Sequence, residues 1–516
     1  MHFCQRSFAP WSFVLLALLI ENGHVPRLLS AEDVVDVGAR RELFIDDVLI
    51  GSMAQTRRQL HHPVPRKIAI THDAPWEGAG CGYHTIIQDG DLYRLYYRGS
   101  ALGVEDGKLR FGKQVYCYAE SRDGVHFTKP NLGIVEYEGS KENNIFWNKV
   151  GVHNFAPFLD TNPACPPEAR FKALGGTASE GGLFAFQSAD GIHWSLMQKE
   201  PVVTEGAFDS QNLAFWDSSA KKYRAYFRTF TEGVTTGKVW KPAGFRAIRT
   251  ASSADFLSWE DNADLTYKDS PVEHLYTNQV GPYFRAPHLL VGFPTRYIER
   301  GWSDSMRALP QRKEREKRSK AHLRYGTSLT EGLLMASRDG VHFERWNEAF
   351  LRPGAERPDT WLYGHQYIAW HAVETKSSLP GAANEISIYA PEGSWIGSSN
   401  SLRRYTLRLD GFVSINAPWE GGEMITKPIR FQGEMLELNF ATSAAGGIRV
   451  EIQSDSGTPV PGFTLAESEE LFGDSVNRTV TWKSGGDMSK LSGQAIKLRF
   501  VMKDADLYSF RFSDAK

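Results

Sequence analysis

The sequence lacks several features that would place a protein in a class at once. It has four cysteines in 516 residues, and its 59 Lys and Arg nearly balance its 61 Asp and Glu. Three cysteines beyond residue 31 (Cys81, Cys117 and Cys165) are too few for a disulfide framework, and zinc-site spacings are missing. A net charge of −2 provides no global field for nucleic acid. We therefore predict no nucleic-acid partner, no metal and no cofactor, and leave open whether Cys81 and Cys117 pair.

Long apolar runs are also scarce, and the one near the N-terminus is short. After Arg6, residues 11–20 are apolar, which is too few to cross a bilayer, and small residues follow at Ser30 and Ala31. This pattern predicts a signal peptide over residues 1–31, with an N-terminal anchor as the alternative. We therefore expect an exported protein, periplasmic or extracellular, whose mature chain has no membrane span.

A repeated motif dominates the rest of the chain. Ser-x-Asp-x-x-x-(Phe/Trp), here called the marker motif, occurs in SRDGVHF, SADGIHW, SADFLSW and SRDGVHF, with its aspartates at Asp123, Asp190, Asp255 and Asp339. A degenerate fifth copy lies at Asp410 in LRLDGFVS. Helical periodicity is weak, whereas paired β-type segments precede the markers, as in YRLYYR (93–98) and YRAYFR (223–228). A β-rich repeat of this period indicates repeated sheets, with the marker as a structural turn.

The predicted architecture is all-β. We expect a five-bladed β-propeller over residues 32–420 and a β-sandwich over residues 421–516, where six alternating apolar segments follow one another. The segment ELFIDDVLI (42–50) is predicted to close the ring by joining the fifth sheet. A polar insertion near residues 300–326 interrupts the fourth unit, and its basic run at 312–320 is either a solvated segment or a grip for an anionic partner.

This pattern resembles known enzymes. A five-bladed propeller with such turns, followed by a β-sandwich, resembles family 32 glycoside hydrolases, and the propeller alone is similar to family 43, with SADFLSWE as the closest copy. FIDD, PWEG, FPTRY and LRLDGFVS look like segments of exported bacterial proteins that are family-32-like. The resemblance implies a glycosidase. The Trp-Met-Asn-Asp-Pro, Arg-Asp-Pro and Glu-Cys motifs of family 32 do not occur here in order, so no catalytic residue is carried over.

Candidate site residues therefore come from their position at the inner ends of the predicted blades. Glycosidic cleavage needs two carboxyl groups, and the candidates are Asp209, Glu77 and Glu331, with Asp209 first because amides and apolar residues surround it in sequence. Structural roles in turns or loops are the alternative for each. The predicted substrate-binding residues are Trp76, His153, Asn154, Gln211, Asn278, Arg285, Arg296 and His365.

Two functions follow from this sequence. The first is a glycoside hydrolase that cleaves terminal sugar units of an oligosaccharide or polysaccharide in an axial pocket. The second is a non-catalytic carbohydrate-binding or surface protein that uses the same pocket, and a phosphorolytic enzyme is a variant of the first. Two of the three candidate carboxylates facing each other across the pocket, roughly 5–10 Å apart, would favour the hydrolase. The sequence does not indicate an oligomeric state.

Overall fold

The computed structural model describes residues 34–235 and 239–515, and most of its regular structure is β-strand. The signal peptide predicted over residues 1–31 lies outside the described residues. Among the helices that are described, none has the length and apolar character needed to cross a membrane.

Five separate sheets form the blades of a propeller, as predicted, and each contains four antiparallel strands. These strands follow one another in sequence in blades one to four, whereas the outer strand of blade five comes from near the N-terminus. Blade one contains Gly82–Asp89, Leu92–Gly99, Val115–Ser121 and Ile145–Trp147. Blade two contains Ala156–Leu159, Phe171–Gly175, Phe184–Ser188 and Ser195–Leu196. Blade three contains Leu213–Asp217, Lys222–Val234, Lys241–Ser253 and Glu260–Asp264. Blade four contains Gly281–Tyr283, Ala286–Gly292, Met335–Ser337 and His342–Arg345, with Thr266–Lys268 added in parallel. Blade five contains Val373–Thr375, Glu385–Glu392, Asn400–Arg408 and Val64–His72.

The marker motif is the turn between the third and fourth strands of blades one to four, as the sequence predicts. In blade two, Asp190 Oδ1 accepts hydrogen bonds from the backbone N–H groups of Ile192 and His193, both at 2.8 Å. Gly191 follows Asp190 with a φ of 78°, the left-handed region that glycine enters without steric cost. The third copy has Phe256 at this place with a φ of 70°. These contacts are local, which is why the motif recurs so faithfully.

Each marker turn also packs on the preceding blade. Arg94 of blade one donates to the carbonyl of Asp190 in the blade-two marker, at 2.9 Å. Likewise Tyr226 of blade three donates to the carbonyl of Gly340 in the blade-four marker, at 2.8 Å, and Tyr389 of blade five donates to Gly124 in blade one. The marker motif is therefore part of the frame that holds neighbouring blades together.

The ring closes differently from the prediction. Val64–His72, rather than residues 42–50, pairs with Asn400–Arg408 and supplies the outer strand of blade five. Of the predicted closing segment, Glu42–Leu43 pairs with Ala495–Ser513, and the strand Ile50–Ala54 that begins at its end pairs with Gly422–Thr426. Asp46 and Asp47 are held by Arg338 and Lys268. The segment thus joins the C-terminal sheet, because its apolar residues Leu43, Phe44 and Ile45 are buried there and at its border with the propeller.

A ten-stranded mixed sheet forms the β-sandwich, again as predicted for the fold class. Its strands are Val35–Gly38, Glu42–Leu43, Ile50–Ala54, Arg57–Leu60, Val413–Ala417, Gly422–Thr426, Ile429–Phe431, Met435–Ser454, Asp474–Thr479 and Ala495–Ser513. The core between its layers is aliphatic and aromatic, including Leu436, Val450, Trp482 and Phe500. N-terminal and C-terminal strands share this sheet, and the domain boundaries at residues 32, 420 and 516 stay a prediction.

The fifth marker copy serves the junction between propeller and sandwich. Asp410 follows the third strand of blade five, but the chain then enters the sandwich strand Val413–Ala417. Its fully buried carboxylate accepts hydrogen bonds from Tyr283 of blade four at 2.8 Å and from Ser509 and Asn439 of the sandwich at 2.6 and 3.0 Å. Arg41 adds an ion pair at 3.3 Å. Asp410 is therefore a joint between the two β-structures.

The insertion in the fourth unit is helical. It connects the two strands of an extension of blade four, Thr295–Glu299 and Ser328–Gly332. Its three helices are Asp304–Ala308, Arg312–Ala321 and Leu323–Thr327. A hairpin of Leu102–Glu105 and Lys108–Phe111 extends blade one and packs against the middle helix. Short 3-10 helices occur at Pro167–Ala169, Ala178–Glu180 and Ser489–Leu491.

Candidate functional site

Asp209 lies just before the innermost strand of blade three and faces open space. Its side chain is 54% exposed, although protein surrounds it on its other sides. The loop that carries it is fixed by two buried amides, Asn154 and Asn212. The Asn154 Nδ2 lies 2.6 Å from the Phe208 carbonyl and 2.7 Å from the Ser210 carbonyl, and the Asn212 Nδ2 lies 3.0 and 2.9 Å from the same two atoms. The two backbone carbonyls that flank Asp209 are thus fixed by hydrogen bonds from buried amides, which fixes the position of the Asp209 backbone.

Two cationic or polar side chains hold the Asp209 carboxylate itself. His153 Nε2 lies 3.1 Å from Oδ1, and Arg228 Nη2 lies 3.5 Å from Oδ2. Partial desolvation acts to raise the pKa of Asp209, but the His153 hydrogen bond and the charge of Arg228 outweigh it. The net pKa of Asp209 is well below its ordinary value. The carboxylate is therefore ionised at neutral pH, which suits a base, a nucleophile or a partner for a positive charge, and not a proton donor.

His153 is the link between Asp209 and blade one. Burial lowers the pKa of His153 although the hydrogen bond to Asp209 opposes this, so the ring is neutral at pH 7. Its Nδ1 lies 3.5 Å from Arg98 Nη1, and its ring meets the Tyr83 ring edge-on at 5.7 Å. The same Nδ1 also lies 3.2 Å from Gln114 Oε1. Because an ionised carboxylate can only accept, the Nε2–H of His153 donates to Asp209. The prediction that His153 and Asp209 share one site is consistent with this geometry.

Tyrosines form the wall beside this cluster. Tyr276 stacks with Arg228, whose guanidinium lies 5.1 Å from its ring centroid, and contacts Tyr367 at 5.3 Å. A cavity of about 70 Å³ lies against these rings. Its lining includes Tyr83, His84, Arg98, Tyr276, Tyr363, Tyr367 and Trp395. Such a volume holds a few waters or one polar substituent of a larger ligand.

Glu77 does not share this site. Its side chain is fully buried, its carboxylate accepts hydrogen bonds from Tyr97 and from the Ala74 N–H, and Lys129 Nζ lies 2.6 Å away. A substrate does not reach a carboxylate so enclosed. Trp76 beside it is partly buried and donates to Asn144 at 2.7 Å, so its ring packs in the core instead of presenting a stacking face for a sugar.

Glu331 and Arg296 meet each other rather than the axis. Arg296 Nη1 lies 2.9 Å from Glu331, and its Nε lies 2.8 Å from Glu273. All three belong to the two-stranded extension of blade four or to the segment before it. Arg296 thus forms ion pairs with two carboxylates. We therefore assign Glu331, the predicted acid, and Arg296, the predicted sugar-binding residue, to one structural ion-pair network. Arg285 is likewise occupied, 3.5 Å from Asp410 at the junction with the sandwich.

The remaining predicted residues are buried and hydrogen-bonded. Gln211 donates to Thr85 at 2.9 Å and accepts from Gln279 at 2.8 Å, which ties blades one, three and four together near the axis. Asn278 caps its own turn by accepting from Val280 N–H at 3.2 Å. His365 accepts from Trp361 N–H at 3.1 Å, and burial lowers its pKa to about 3, as expected for a neutral core histidine. Like Asn154, these residues are buried and hydrogen-bonded within the protein.

The buried cysteines Cys81 and Cys117 are free thiols and do not pair. Burial raises the pKa of Cys81 to about 12, so the thiol beside the cavity is not a nucleophile at neutral pH.

Sequence reasoning missed the arginines of the site. Arg98 and Arg228 occupy the same position in the two matching segments YRLYYR and YRAYFR, and both reach the Asp209–His153 pair. That internal match was visible in the sequence, but it indicated only a shared strand. Arg246, on the neighbouring strand of blade three, and Tyr276 had no repeat partner to single them out.

The insertion helix borders the same region. Arg315 donates to the Trp361 carbonyl at 2.6 Å, and the Arg318 guanidinium lies 5.3 Å from the Trp395 ring, which lines the cavity. Both arginines are buried, and the other basic residues of the predicted run 312–320 are at least partly exposed. Two arginines of the basic run therefore fix the helix to the propeller, and the remaining basic residues are solvent-accessible.

Comparison with known proteins places few constraints on this site. No family model matches the chain. Two uncharacterised proteins of Mycobacterium tuberculosis, from strains CDC 1551 / Oshkosh and H37Rv, are each 29% identical over 145 residues, which is 28% of this chain and 42% of theirs. The match thus spans about two fifths of the length of these curated relatives.

Solved structures with a similar course of the chain include members of the two families that the sequence resembles. A thermostable family-43 glycoside hydrolase is 11% identical with a TM-score of 0.40, over 67% of this chain and 96% of its own. A family-32 β-fructofuranosidase of Bombyx mori is 10% identical with a TM-score of 0.36, over 89% and 95%. An N-acetylgalactosamine deacetylase from F. plautii is 10% identical with a TM-score of 0.39, over 70% and 95%. Likeness of this degree carries no argument about activity.

Proposed function

We propose that the protein is a carbohydrate-active enzyme that hydrolyses a glycosidic bond of an oligosaccharide or polysaccharide at the inner ends of blades one to three. One observation carries the proposal. Asp209 is an accessible, ionised carboxylate, fixed by two buried amides, that lies between His153 and Arg228 and beside a wall of tyrosine rings. Rings and hydrogen-bonding groups of this kind are suited to the faces and hydroxyls of a sugar.

In this proposal Asp209 attacks the sugar carbon, activates water or stabilises the positive charge that develops on the ring. Its lowered pKa keeps it ionised for any of these roles. The leaving oxygen then needs a proton from a second group, and Glu180 is a further acid whose charge acts on His153. Its carboxylate accepts hydrogen bonds from Gly151 N–H and Thr177, both at 2.9 Å. Glu180 is therefore the acid that we test as a proton donor, since Glu77 and Glu331 lie in ion pairs with Lys129 and Arg296.

A second candidate, a non-catalytic sugar-binding protein, is favoured by one specific observation. The two other predicted acids, Glu77 and Glu331, are held in ion pairs with Lys129 and Arg296 and do not face Asp209. Without a proton donor opposite Asp209, the site can bind hydroxyls without cleaving a bond.

Activity measurements distinguish the two. Wild-type protein, Asp209→Asn and Glu180→Gln are assayed on aryl-glycosides and on plant or algal oligosaccharides, with Asp261→Asn on the exposed edge of blade three as control. We expect the Asp209 variant to lose roughly 10²–10⁴-fold in kcat/KM and the Asp261 variant to match wild type. Full activity of Asp209→Asn would remove this residue as a catalyst. Binding of sugars without any hydrolysis would favour the second candidate.

Export is part of the same proposal. A signal peptide over residues 1–31 would deliver the enzyme to the periplasm or the cell exterior, where polymeric sugars are met. N-terminal sequencing of the protein from its source tests this: a start close to residue 32 supports export, and an intact Met1 argues against it.

A further inference from the structure

Positive charge exceeds negative charge around the axial site. Three guanidinium groups, those of Arg98, Arg228 and Arg246, lie within one set of contacting side chains, whereas Asp209 is the carboxylate that this set holds directly. The charge of Asp209 offsets one of these three guanidinium charges, since the His153 ring that also holds Asp209 is neutral. The cluster therefore carries an excess of hydrogen-bond donors and of positive charge.

Arg246 has no anionic partner in the part of the chain that the structure describes. Its guanidinium lies 4.6 Å from the Tyr297 ring centroid, 5.3 Å from that of Tyr276 and 5.7 Å from that of Phe230. Its Nε is buried without a hydrogen-bond partner. The nearby Glu299 carboxylate is engaged by the Tyr297 hydroxyl at 2.7 Å. A half-buried guanidinium held by rings alone has unused donors that an acceptor could satisfy.

Two further unused donors border the cavity. Arg98 Nε is buried without a partner, although its Nη2 donates to the Gly80 carbonyl at 3.1 Å. The Tyr367 hydroxyl is also buried without a partner. Both residues line the cavity, and Tyr276, which also lines it, contacts Arg246. Native proteins leave few buried polar groups unpaired, so the free donors of Arg98 and Tyr367 at the cavity favour an acceptor there. Arg246 does not line the cavity itself and lies against Tyr276, which does.

We propose that the axial site takes a sugar that carries an oxyanion, such as the carboxylate of a uronic acid or a sulfate or phosphate ester, with Arg246 and Arg98 as its donors. The planar fork of arginine matches the paired oxygens of these groups. A cavity of about 70 Å³ has room for such a group rather than for a whole sugar ring. This inference rests on the proposed function, since it names the substrate class of the same site.

Calorimetric binding tests the inference without requiring catalysis. Galacturonic and glucuronic acids are compared with galactose and glucose, a sulfated monosaccharide is added as a third class, and inorganic phosphate as a fourth. We expect the acidic sugars to bind at least about 10-fold more tightly than their neutral counterparts, and Arg246→Gln to weaken that binding roughly 10- to 100-fold. Arg249→Gln is the matched control, because Arg249 lies on the same strand but pairs with Asp264 on the surface at 2.7 Å.

The outcomes separate this inference from the proposed function. Equal affinity for acidic and neutral sugars, an unchanged Arg246→Gln, or no binding of any probe overturns the inference. Hydrolysis of neutral glycosides that depends on Asp209, with no acid preference, overturns the inference and leaves the proposed function standing. Acid-selective binding without hydrolysis supports the inference and contradicts the hydrolase. Arg246-dependent binding of phosphate alone supports the oxyanion site and assigns free phosphate as its ligand. Should Arg246→Gln fail to fold, Arg246→Lys and Arg98→Gln replace it, and unchanged affinity in both overturns the inference.

Discussion

Replacing Lys129 by methionine tests whether Glu77 is a structural residue. Lys129 Nζ lies 2.6 Å from the Glu77 carboxylate, 3.0 Å from Asp73 and 2.8 Å from the Thr71 carbonyl. Burial acts to lower the pKa of Lys129, but its hydrogen bond to Glu77 prevails and the pKa is raised. Methionine keeps most of the apolar stem and removes the charge, so the variant isolates the ion pair.

The expected magnitude follows from the burial of Glu77. Its side chain is fully buried, and without Lys129 the charge keeps only the Tyr97 hydroxyl and the Ala74 N–H as donors. Removing one partner of a buried ion pair costs roughly 3–5 kcal/mol in the free energy of unfolding. Lys129 itself is 21% exposed, which lets water approach and places the expected loss near the lower end, about 3 kcal/mol.

Urea unfolding followed by tryptophan fluorescence at pH 7 measures this loss. The control is Lys222→Met, because the Lys222–Asp261 pair is exposed to solvent at both ends and should contribute little to stability. The double variant Lys129→Met with Glu77→Gln removes the stranded charge and should recover part of the loss. Measured beside Glu77→Gln alone and the wild type, Lys129→Met and the double variant complete a double-mutant cycle.

Two results would refute the structural assignment of Glu77. The first is a Lys129→Met variant as stable as Lys222→Met, which would mean that the Glu77 charge does not depend on its partner. The second is a Glu77→Gln variant that folds with wild-type stability but loses hydrolysis. That result would return Glu77 to the catalytic role predicted from the sequence.

Two further predictions concern the loop of Asp209 and the marker turn. In the wild type the Gly176 N–H donates to Asn154 at 2.8 Å, and Asn154→Ala would leave that group buried and unpaired. We therefore expect the variant to lose about 3 kcal/mol in the free energy of unfolding by urea and to have a lower kcat, whereas Asn131→Ala at an exposed position should lose less than about 0.5 kcal/mol. Wild-type stability of Asn154→Ala would contradict this. Asp339 has a pKa of about 2 against an ordinary value of 3.8, so its stabilisation is complete above about pH 4 and is lost as the pH falls through 2. In Asp339→Asn the thermal midpoint should therefore fall less between pH 4 and pH 2 than in the wild type. An equal fall in both proteins would show that the Asp339 turn does not cause this pH dependence.

The marker motif could be interpreted from sequence because the contacts that shape its turn are local, whereas the hydrogen bonds from Arg94, Tyr226 and Tyr389 to the markers of neighbouring blades come from distant residues. Asp190 bonds backbone groups two and three residues away, and Gly191 supplies the left-handed φ, so neither depends on the rest of the fold. Counting these turns gave the number of blades and the all-β class. The predicted ring closure was wrong because residues 42–50 were assigned to the fifth sheet, whereas Val64–His72 pairs there. Which sheet a strand joins depends on distant residues and cannot be inferred from the strand itself.

The candidate site was predictable only in part. Asp209 and His153 were both candidates because each precedes the innermost strand of a blade, and in the structure their side chains lie 3.1 Å apart. Their functional roles stay a prediction. Glu77 and Glu331 satisfy the same positional rule but lie in ion pairs, since whether a side chain faces the axis depends on a partner far away in sequence.

Sequence alone thus determined the repeated frame of this protein, through turn chemistry and strand periodicity that act over a few residues. The tertiary structure decided which polar groups meet: His153, Asp209, Arg228 and Tyr276 come from separate segments and share one site because the ring brings their blades together. Charge balance at that site is a sum over such distant residues. The excess of arginine that suggests an anionic sugar is therefore visible only once the chain is folded.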